Sequence, residues 1–438
     1  MIMKTSLYTY QKAYDDKLLM YNCRTDSLIV LNKDLCLLWN QYKDDKLEQL
    51  ENVHPSLFKC LVEKKFIVDS ELVEPVDFLE ELRHSDETDE EFTIYVNPTL
   101  NCNLRCWYCY EKHRPQSQMH NDVKDAILHL VEQKVQNPTL KRIGLSFFGG
   151  EPLLEFKSIV MPLVTEVSKF CKQHGKLLNV SFTSNCSLLS EDMVQQLNNV
   201  QLTEPIAWQI TIDGNRSVHD QVRKTASGKG SYDKILNGIR LLVANNMKVL
   251  VRFNYQNSNV LSFLDVIEDF KSIPEQYAKN LSFHFQRIWQ DKDSPFDMEE
   301  SETNPQKVEK AFLDAGFTFS TKDYKPQRCY ADSKNSIVVN YNGLIYNCTA
   351  QDFVEDESEG KLMPDGEIKT NAKYALRMQK RYDNKTCINC NIFPICFGGC
   401  SQKQMNRPNQ DMCIKGWDTD KKEKAIQQRI RSLSDLYV

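Results

Sequence analysis

The chain has 438 residues, 55 Lys+Arg against 60 Asp+Glu for a formal net charge of -5, 41% hydrophobic residues and 15 cysteines. That length exceeds what one compact core usually holds and predicts two or three domains, while the balanced charge offers no basic field for following phosphates and argues against a nucleic-acid partner. Fifteen cysteines with no signal-peptide pattern ahead of them read as metal-bound or catalytic sulfur in a reducing cytoplasm, and no segment approaches the roughly 20 apolar residues that span a bilayer.

Strand-like runs at 6–10, 17–21 and 27–31 precede two stretches with helical spacing, one carrying Leu35, Leu38 and Trp39 and the other Leu57, Cys60 and Leu61. With a short run at 66–68 they make residues 1–68 a small mixed α/β module. From 69 to 91, eleven acidic residues accompany one arginine and no glycine, the composition of a charged, solvated linker with some helix. Between 92 and 310, β-rich runs recur at 92–96, 143–148, 178–182, 208–212, 249–253 and 281–285. Helical periodicity fills gaps between them at 123–135, 159–170, 232–243 and 263–270. Strands alternating with helices predict a parallel sheet, and six repeats suit an α/β partial barrel with its function at the carboxyl ends of the strands. Residues 311–438 are rich in turns, prolines and cysteines, with a hairpin predicted at Asn342-Gly343 and an amphipathic helix over 418–436.

Ten cysteines fall into groups: Cys102, Cys106 and Cys109; Cys329 and Cys348; and Cys387, Cys390, Cys396, Cys400 and Cys413. Cys23, Cys36, Cys60, Cys171 and Cys186 are scattered and read as small buried hydrophobes. The first group follows the first barrel strand. Three thiolates on one loop can ligate three irons of a four-iron cluster and leave the fourth open, whereas zinc favours paired ligands with a second pair elsewhere.

The loop Cys-x3-Cys-x-aromatic-Cys, with Tyr108 as the aromatic, resembles that of the radical S-adenosylmethionine superfamily. The resemblance implies that S-adenosylmethionine chelates the open iron and that one electron cleaves it to a 5′-deoxyadenosyl radical. It also implies that Gly149, Gly150 and Glu151 in Phe148-Gly149-Gly150-Glu151-Pro152 hold the methionine amino group. Ser184 and Asn185 after the third strand and Asp213 after the fourth stand where the family holds the carboxylate and ribose; the competing reading is ordinary turn residues. His219-Asp220, Arg223 and Gly228-Lys229-Gly230-Ser231-Tyr232 match the subset of the family that acts on peptides.

Seven thiolates in the second group exceed one cluster and nearly fill two, with a pair of zinc sites as the rival reading. Their spacing is similar to the SPASM extension of radical enzymes that mature peptides and proteins. By that resemblance Cys387, Cys390, Cys396 and Cys413 hold an outer 4Fe-4S cluster, and Cys329, Cys348 and Cys400 an inner one that Asp332, Asp352 or a substrate thiolate completes. Three 4Fe-4S clusters and S-adenosylmethionine are thus the expected cofactors. Residues 1–68 are similar in style to the PqqD-like element that binds leader peptides, and adding an extended peptide to a sheet edge is how such modules work.

The expected function is a radical maturase that installs a thioether or carbon–carbon cross-link in a ribosomally made peptide, served by a reductant such as flavodoxin or ferredoxin. An anaerobic sulfatase-maturating enzyme is the alternative, but that family carries an aspartate directly after the cysteine equivalent to Cys348, where this chain has Thr349. A non-catalytic iron–sulfur electron carrier is the alternative from another class.

Overall fold

Runs rich in Val, Ile, Phe and Tyr form the strands of two compact units in the computed structural model, which describes residues 2–44, 46–86, 88–290, 298–320, 328–406 and 411–434. One unit comprises Met1–Thr88, Lys322–Ser333 and Ala375–Val438, the other Asp89–Thr321 and Lys334–Tyr374.

In the first unit the chain opens with β1 (Met3–Thr5), β2 (Thr9–Tyr14), β3 (Lys17–Asn22), β4 (Ser27–Leu31) and, after three helices, β5 (Ile67–Asp69). β2, β3 and β4 form an antiparallel meander with β4 at one edge, and β1 pairs with β5. Trp39 is fully buried with Met20, Leu50 and Leu61, and its indole donates to Gln11 Oε1 at 3.1 Å, so it fills the module's own core. The run at 6–10 is a turn entering β2 rather than a strand. Ser6 is held by Glu74, to which its hydroxyl donates at 2.5 Å, and Thr9 N donates back to Ser6 O.

The acidic segment 69–91 carries the helix Glu74–Asp86, whose Phe78, Leu79 and Leu82 are buried. They pack with Tyr8, Tyr21 and Cys23 from the amino-terminal strands and with Phe393, Ile426 and Leu433 from the cysteine-rich segment. Residues 1–68 and the carboxyl-terminal segment therefore share one core.

The second unit aligns β6 (Glu91–Val96), β7 (Arg142–Phe147), β8 (Leu177–Thr183), β9 (Ala207–Ile212), β10 (Lys248–Tyr255) and β11 (Leu281–Arg287) in parallel and in chain order. Alternation decides their faces: Ile143, Leu145 and Phe147 of β7 are fully buried in the main core, and the intervening residues are partly exposed. Helices Asn121–Val135, Met161–Gln173, Glu191–Asn199 and Tyr232–Ala244 cover the apolar face. The sheet then continues past β6 through β12 (Ser336–Val339), parallel to it, and the antiparallel β13 (Leu344–Tyr346), β14 (Gly360–Leu362) and β15 (Ile368–Thr370). Asn342-Gly343 makes the β12–β13 turn, with Gly343 at φ +77°. Residues 334–374 thus extend the barrel sheet, and position 310/311 lies inside the helix Met298–Asp314. The architecture is a mixed α/β partial barrel with extensions at both ends. Among the described residues no helix is long and apolar enough to cross a membrane.

Candidate functional site

The loop that leaves β6 is pinned before it reaches its cysteines. Thr99 and Leu100 engage the Ser117 hydroxyl, at 3.2 Å from Thr99 Oγ1 and 2.8 Å from Leu100 N, and Met119 N donates to Pro98 O at 2.8 Å. On its other flank Arg105 N donates to Lys224 O at 2.8 Å. Cys102, Cys106 and Cys109 then line a single open-mouthed cavity, together with Gly149, Gly150, Ser184, Asn185, Gln209 and Thr211 at the strand ends. Burial pushes the Cys102 thiol up to about 12 and the Cys109 thiol to about 11, and raises that of Cys106 against the pull of the Arg223 guanidinium. A bound metal reverses that preference, because thiolate is the ligating form.

The two glycines after β7 are required by the cysteine loop itself. A Cβ on Gly150 would lie 2.1 Å from Asn101 O, and one on Gly149, at φ +96°, would lie 2.5 Å from Thr99 O. Gly150 N and Glu151 N donate to those same carbonyls at 3.0 and 2.9 Å. Backbone contact between the two loops is thus what brings the glycine turn beside the cysteines.

Five of the seven expected cofactor contacts, Tyr108, Gly149, Gly150, Ser184 and Asn185, line the cavity, while Glu151 and Asp213 stand behind its wall, fully buried. Glu151 accepts from Ser184 Oγ at 2.7 Å, Asn185 N at 2.8 Å and Leu153 N at 3.0 Å, so it ties the loops after β7 and β8 together. Asn185 Nδ2 in turn approaches Cys102 Sγ at 3.6 Å. Asp213 accepts from Tyr108, and Arg223 bridges the pair, with Nη1 2.8 Å from the Tyr108 hydroxyl and 3.6 Å from Asp213 Oδ2. Desolvation pushes the Asp213 carboxyl up to about 6 despite that guanidinium.

His219 and Asp220 are architectural: Asp213 N donates to His219 Nδ1, and Asp220 accepts from Ser231 N and Tyr232 N at the start of the following helix. Gly230 is needed there because a Cβ would meet the Asp220 carboxylate at 2.2–2.4 Å.

Cys387, Cys390, Cys396 and Cys413 line a second cavity in the first unit, with Lys415, Trp417 and Lys422. The loop from Cys396 to Cys400 curls through three residues at positive φ, Phe397, Gly398 and Gly399. Burial and the other three thiols push Cys387 up to about 12, and Lys422 opposes them. Cys329 lies near Asp332 and Cys400 in the same unit, whereas Cys348 belongs to the barrel unit. Asp352 is engaged by Lys112 at 3.0 Å and Arg114 at 3.3 Å. Among the described residues no three His, Cys, Asp or Glu side chains converge on a point suited to a single metal ion.

The sequence reading missed part of the first cavity. Glu111, Tyr110, Arg252, Arg287 and Trp289 also line it. Tyr110 and Trp289 stack with centroids 6.0 Å apart and planes at 28°. The Glu111 carboxyl is pushed up to about 8 by burial and by Asp352. Its Oε2, Asn254 Oδ1 and Arg252 Nε are shielded from water without a hydrogen-bond partner among the described residues. Arg252 and Asn254, two residues apart on one face of β10, carried a signal that alternation exposes, polar side chains in an otherwise apolar strand. Cys23 is buried as expected, but beside Cys390 rather than in isolation.

Comparison with known proteins bears on this arrangement. The sequence profile of the Radical SAM superfamily matches residues 96–261, from the end of β6 to beyond β10. The Cysteine-type anaerobic sulfatase-maturating enzyme of Clostridium novyi is 26% identical over 364 residues, 73% of this chain and 91% of that protein. The Serine-type enzyme of Bacteroides thetaiotaomicron is 25% identical over 186 residues, 41% of this chain and 42% of its own. In fold, the chain is similar to anSMEcpe with bound AdoMet and Kp18Cys peptide, at TM-score 0.56 and 15% identity over 79% of this chain and 99% of that one. It is also similar to Streptococcus suis SuiB, at TM-score 0.51 and 13% identity over 95% of this chain and 99% of that one.

Proposed function

We propose that this radical SAM superfamily enzyme is a maturase that abstracts hydrogen from a ribosomally made peptide and closes a thioether or carbon–carbon cross-link in it. The observation that carries the reading is the convergence of Cys102, Cys106 and Cys109 with the strand-end residues Gly149, Gly150, Ser184 and Asn185 in one cavity. When bound there, a 4Fe-4S cluster and S-adenosylmethionine supply one-electron chemistry that takes hydrogen from an unactivated carbon.

The chain's own residues do the rest. The three thiolates hold the cluster, Gly149, Gly150, Ser184 and Asn185 bind the cofactor, and Glu151 and Asp213 fix those binders from behind. Tyr108 and Arg223 close the wall between the cluster loop and β9. Cys387, Cys390, Cys396 and Cys413 hold an outer auxiliary cluster whose negative charge Lys415 and Lys422 offset. Cys329 and Cys400 serve an inner one, with Asp332 as a further oxygen ligand. Flavodoxin or ferredoxin delivers the electron. The fold likeness to SuiB covers 95% of this chain and that to anSMEcpe 79%, so more of this chain has a counterpart in SuiB. In this reading the exposed edge β4 receives the leader peptide.

The sequence likeness to sulfatase-maturating enzymes over 73% of the chain supports a second reading, conversion of a cysteine or serine to formylglycine. Thr349 in place of an aspartate weighs against it. Mass spectrometry on short peptides encoded beside the gene, incubated with reduced, reconstituted enzyme, separates the two. A product lacking two hydrogens and resistant to aldehyde reagents supports the maturase, and an aldehyde supports the alternative. No release of 5′-deoxyadenosine would end both.

A further inference from the structure

Three guanidinium groups line the first cavity; that of Arg287, at the end of β11, is already engaged, and those of Arg223 and Arg252 are differently placed. Arg223 is engaged through Nη1, which donates to Tyr108 and lies 3.6 Å from Asp213 Oδ2, although its Nε, like that of Arg252, is shielded without a partner. Among the described residues Arg252 makes no such hydrogen bond or ion pair, and Asp213 acts on its charge only from beyond ion-pair distance. Arg252 sits in mid-strand on β10, in register with Thr211 of β9 and His284 of β11, and its Nε is shut off from water without a partner. Glu111 is the one carboxyl among the described residues lining this cavity, and Asp352, not Arg252, is the charge that acts on it. A partly buried cation with no carboxylate at ion-pair distance is unfavourable unless something else brings one.

From this geometry we infer that Arg252 is the carboxylate-binding residue of the cavity and that it receives an acidic side chain of the peptide substrate, close to the carbon that loses hydrogen. This rests on the reading of the cavity as a radical site for peptides. A guanidinium matches a carboxylate with two parallel hydrogen bonds, a geometry that neither an amide nor a hydroxyl reproduces. Asn254, one pleat along the same face, engages the Tyr108 hydroxyl and keeps an unpartnered Oδ1 as an acceptor for a neighbouring peptide N–H. Above them the stacked Tyr110 and Trp289 form the lip, and Trp289 is 61% exposed, leaving a broad apolar face for the residue beside the acidic one. The amino-acid end of the cofactor also carries a carboxylate. Arg223 stands nearer to that need, because it bonds Tyr108, which lies in the cluster loop between Cys106 and Cys109, whereas Arg252 lies on β10 in register with Thr211 and His284.

The test uses the full chain, anaerobically reconstituted with iron and sulfide. Binding of S-adenosylmethionine is measured first by equilibrium dialysis, and then, with that cofactor saturating, binding of N-acetyl-glutamate N-methylamide and of its glutamine counterpart by ligand-observed NMR. The wild-type chain is expected to prefer the glutamate probe by roughly tenfold, Arg252→Gln to lose that preference, and Arg252→Lys, which keeps charge but not the fork, to retain part of it. Equal binding of the two probes to the wild-type chain would overturn the proposal. So would an Arg252→Gln variant that keeps its preference for glutamate, or one whose defect is a tenfold loss of affinity for S-adenosylmethionine, since that outcome assigns Arg252 to the cofactor's carboxylate. A wild-type chain that fails to bind S-adenosylmethionine at the first step would instead bring down the radical reading itself, and the proposal with it.

Discussion

Tyr108 shares its hydroxyl proton between the two oxygens of the buried Asp213 carboxylate, at 2.8 and 3.0 Å, across 105 residues of sequence. The contact fastens the cluster loop to the end of β9. Because Arg223 Nη1 donates to the same hydroxyl at 2.8 Å, removing that oxygen leaves a carboxylate and a guanidinium each short of a partner inside the wall. Tyr108→Phe is therefore expected to lower unfolding stability by about 1–3 kcal/mol, the usual cost of stranding buried hydrogen-bonding groups. Chemical denaturation of the cluster-free chain measures it, and an unchanged midpoint would show that the contact is not needed to hold the loop.

The same carboxyl predicts a pH dependence. Its folded value, about 6, lies above the ordinary 3.8, because burial penalises the charge more than Arg223 and Tyr108 compensate. A raised folded value means that the contribution is fully present below about 3.8 and is lost as pH rises through about 6. Over that window the Asp213 contribution should fall with rising pH, and Asp213→Asn, which cannot ionise, should flatten the slope of the denaturation midpoint. A variant with the wild-type slope would mean that Asp213 titrates at its ordinary value.

Gly150→Ala tests the packing of the two site loops. The added methyl would sit 2.1 Å from a backbone carbonyl, which cannot rotate away as a side chain can. The expected cost is on the order of 1–3 kcal/mol, with the cysteine loop displaced and iron uptake at that site reduced. Gly175→Ala is the control for a glycine with open space around it, although its φ of +64° carries a backbone cost of its own. If the two variants behave alike, loop contact is not what demands glycine at 150.

Iron content separates the cysteine sets. Anaerobic reconstitution should load about twelve irons per chain from three four-iron clusters. Replacing Cys387, Cys390, Cys396 and Cys413 together should remove about four of them. Replacing Cys102, Cys106 or Cys109 with alanine should abolish 5′-deoxyadenosine release while the fold persists, because these side chains line a cavity at the strand ends. Iron analysis and circular dichroism check both, and stoichiometric zinc in place of iron would overturn the auxiliary assignment.

How much of this was legible before the fold was known differs from element to element. The barrel strands were, because runs such as 249–253 concentrate β-branched and aromatic residues, and packing only extended that one to Lys248–Tyr255. The cysteine loop was legible for the same local reason, its spacing. Glu151 and Asp213 were legible as site residues but not in their role. Their partners Ser184, Asn185 and Tyr108 arrive from other strand ends, so nothing local shows that they face away from the cavity. Ser6 reads as strand until Glu74, 68 residues later, takes its hydroxyl. Phe78, Leu79 and Leu82 form an apolar stripe that eleven surrounding acidic residues conceal in composition.

That stripe governs the last prediction, which concerns residues 1–68. As a separately folded appendage, this module could be removed without harm to the rest. Its Tyr8, Tyr21 and Cys23, however, lie in one core with Phe78, Phe393 and Ile426, and Phe78 meets Tyr8 at 5.9 Å and Phe393 at 5.5 Å, both edge to face. Phe393 stands between Cys390 and Cys396, so the packing that orders the module also orders the outer cysteine set. Deletion would confuse loss of docking with loss of that core, and point changes avoid the confusion. Phe78→Ala should cost about 3–5 kcal/mol and release iron from the outer set, because the cavity it leaves opens against Phe393. Val30→Glu places a charge on the exposed edge β4, where Val30 is 56% exposed and no core contact is lost. It should keep full iron content and stability while weakening binding of the precursor peptide, since a charged edge resists strand addition. Fluorescence-detected peptide titration, iron analysis and thermal unfolding on the two variants read these outcomes separately. Should Val30→Glu bind peptide as the wild-type chain does, β4 is not the docking edge, and should Phe78→Ala keep all its iron, the shared core does not support the outer cluster.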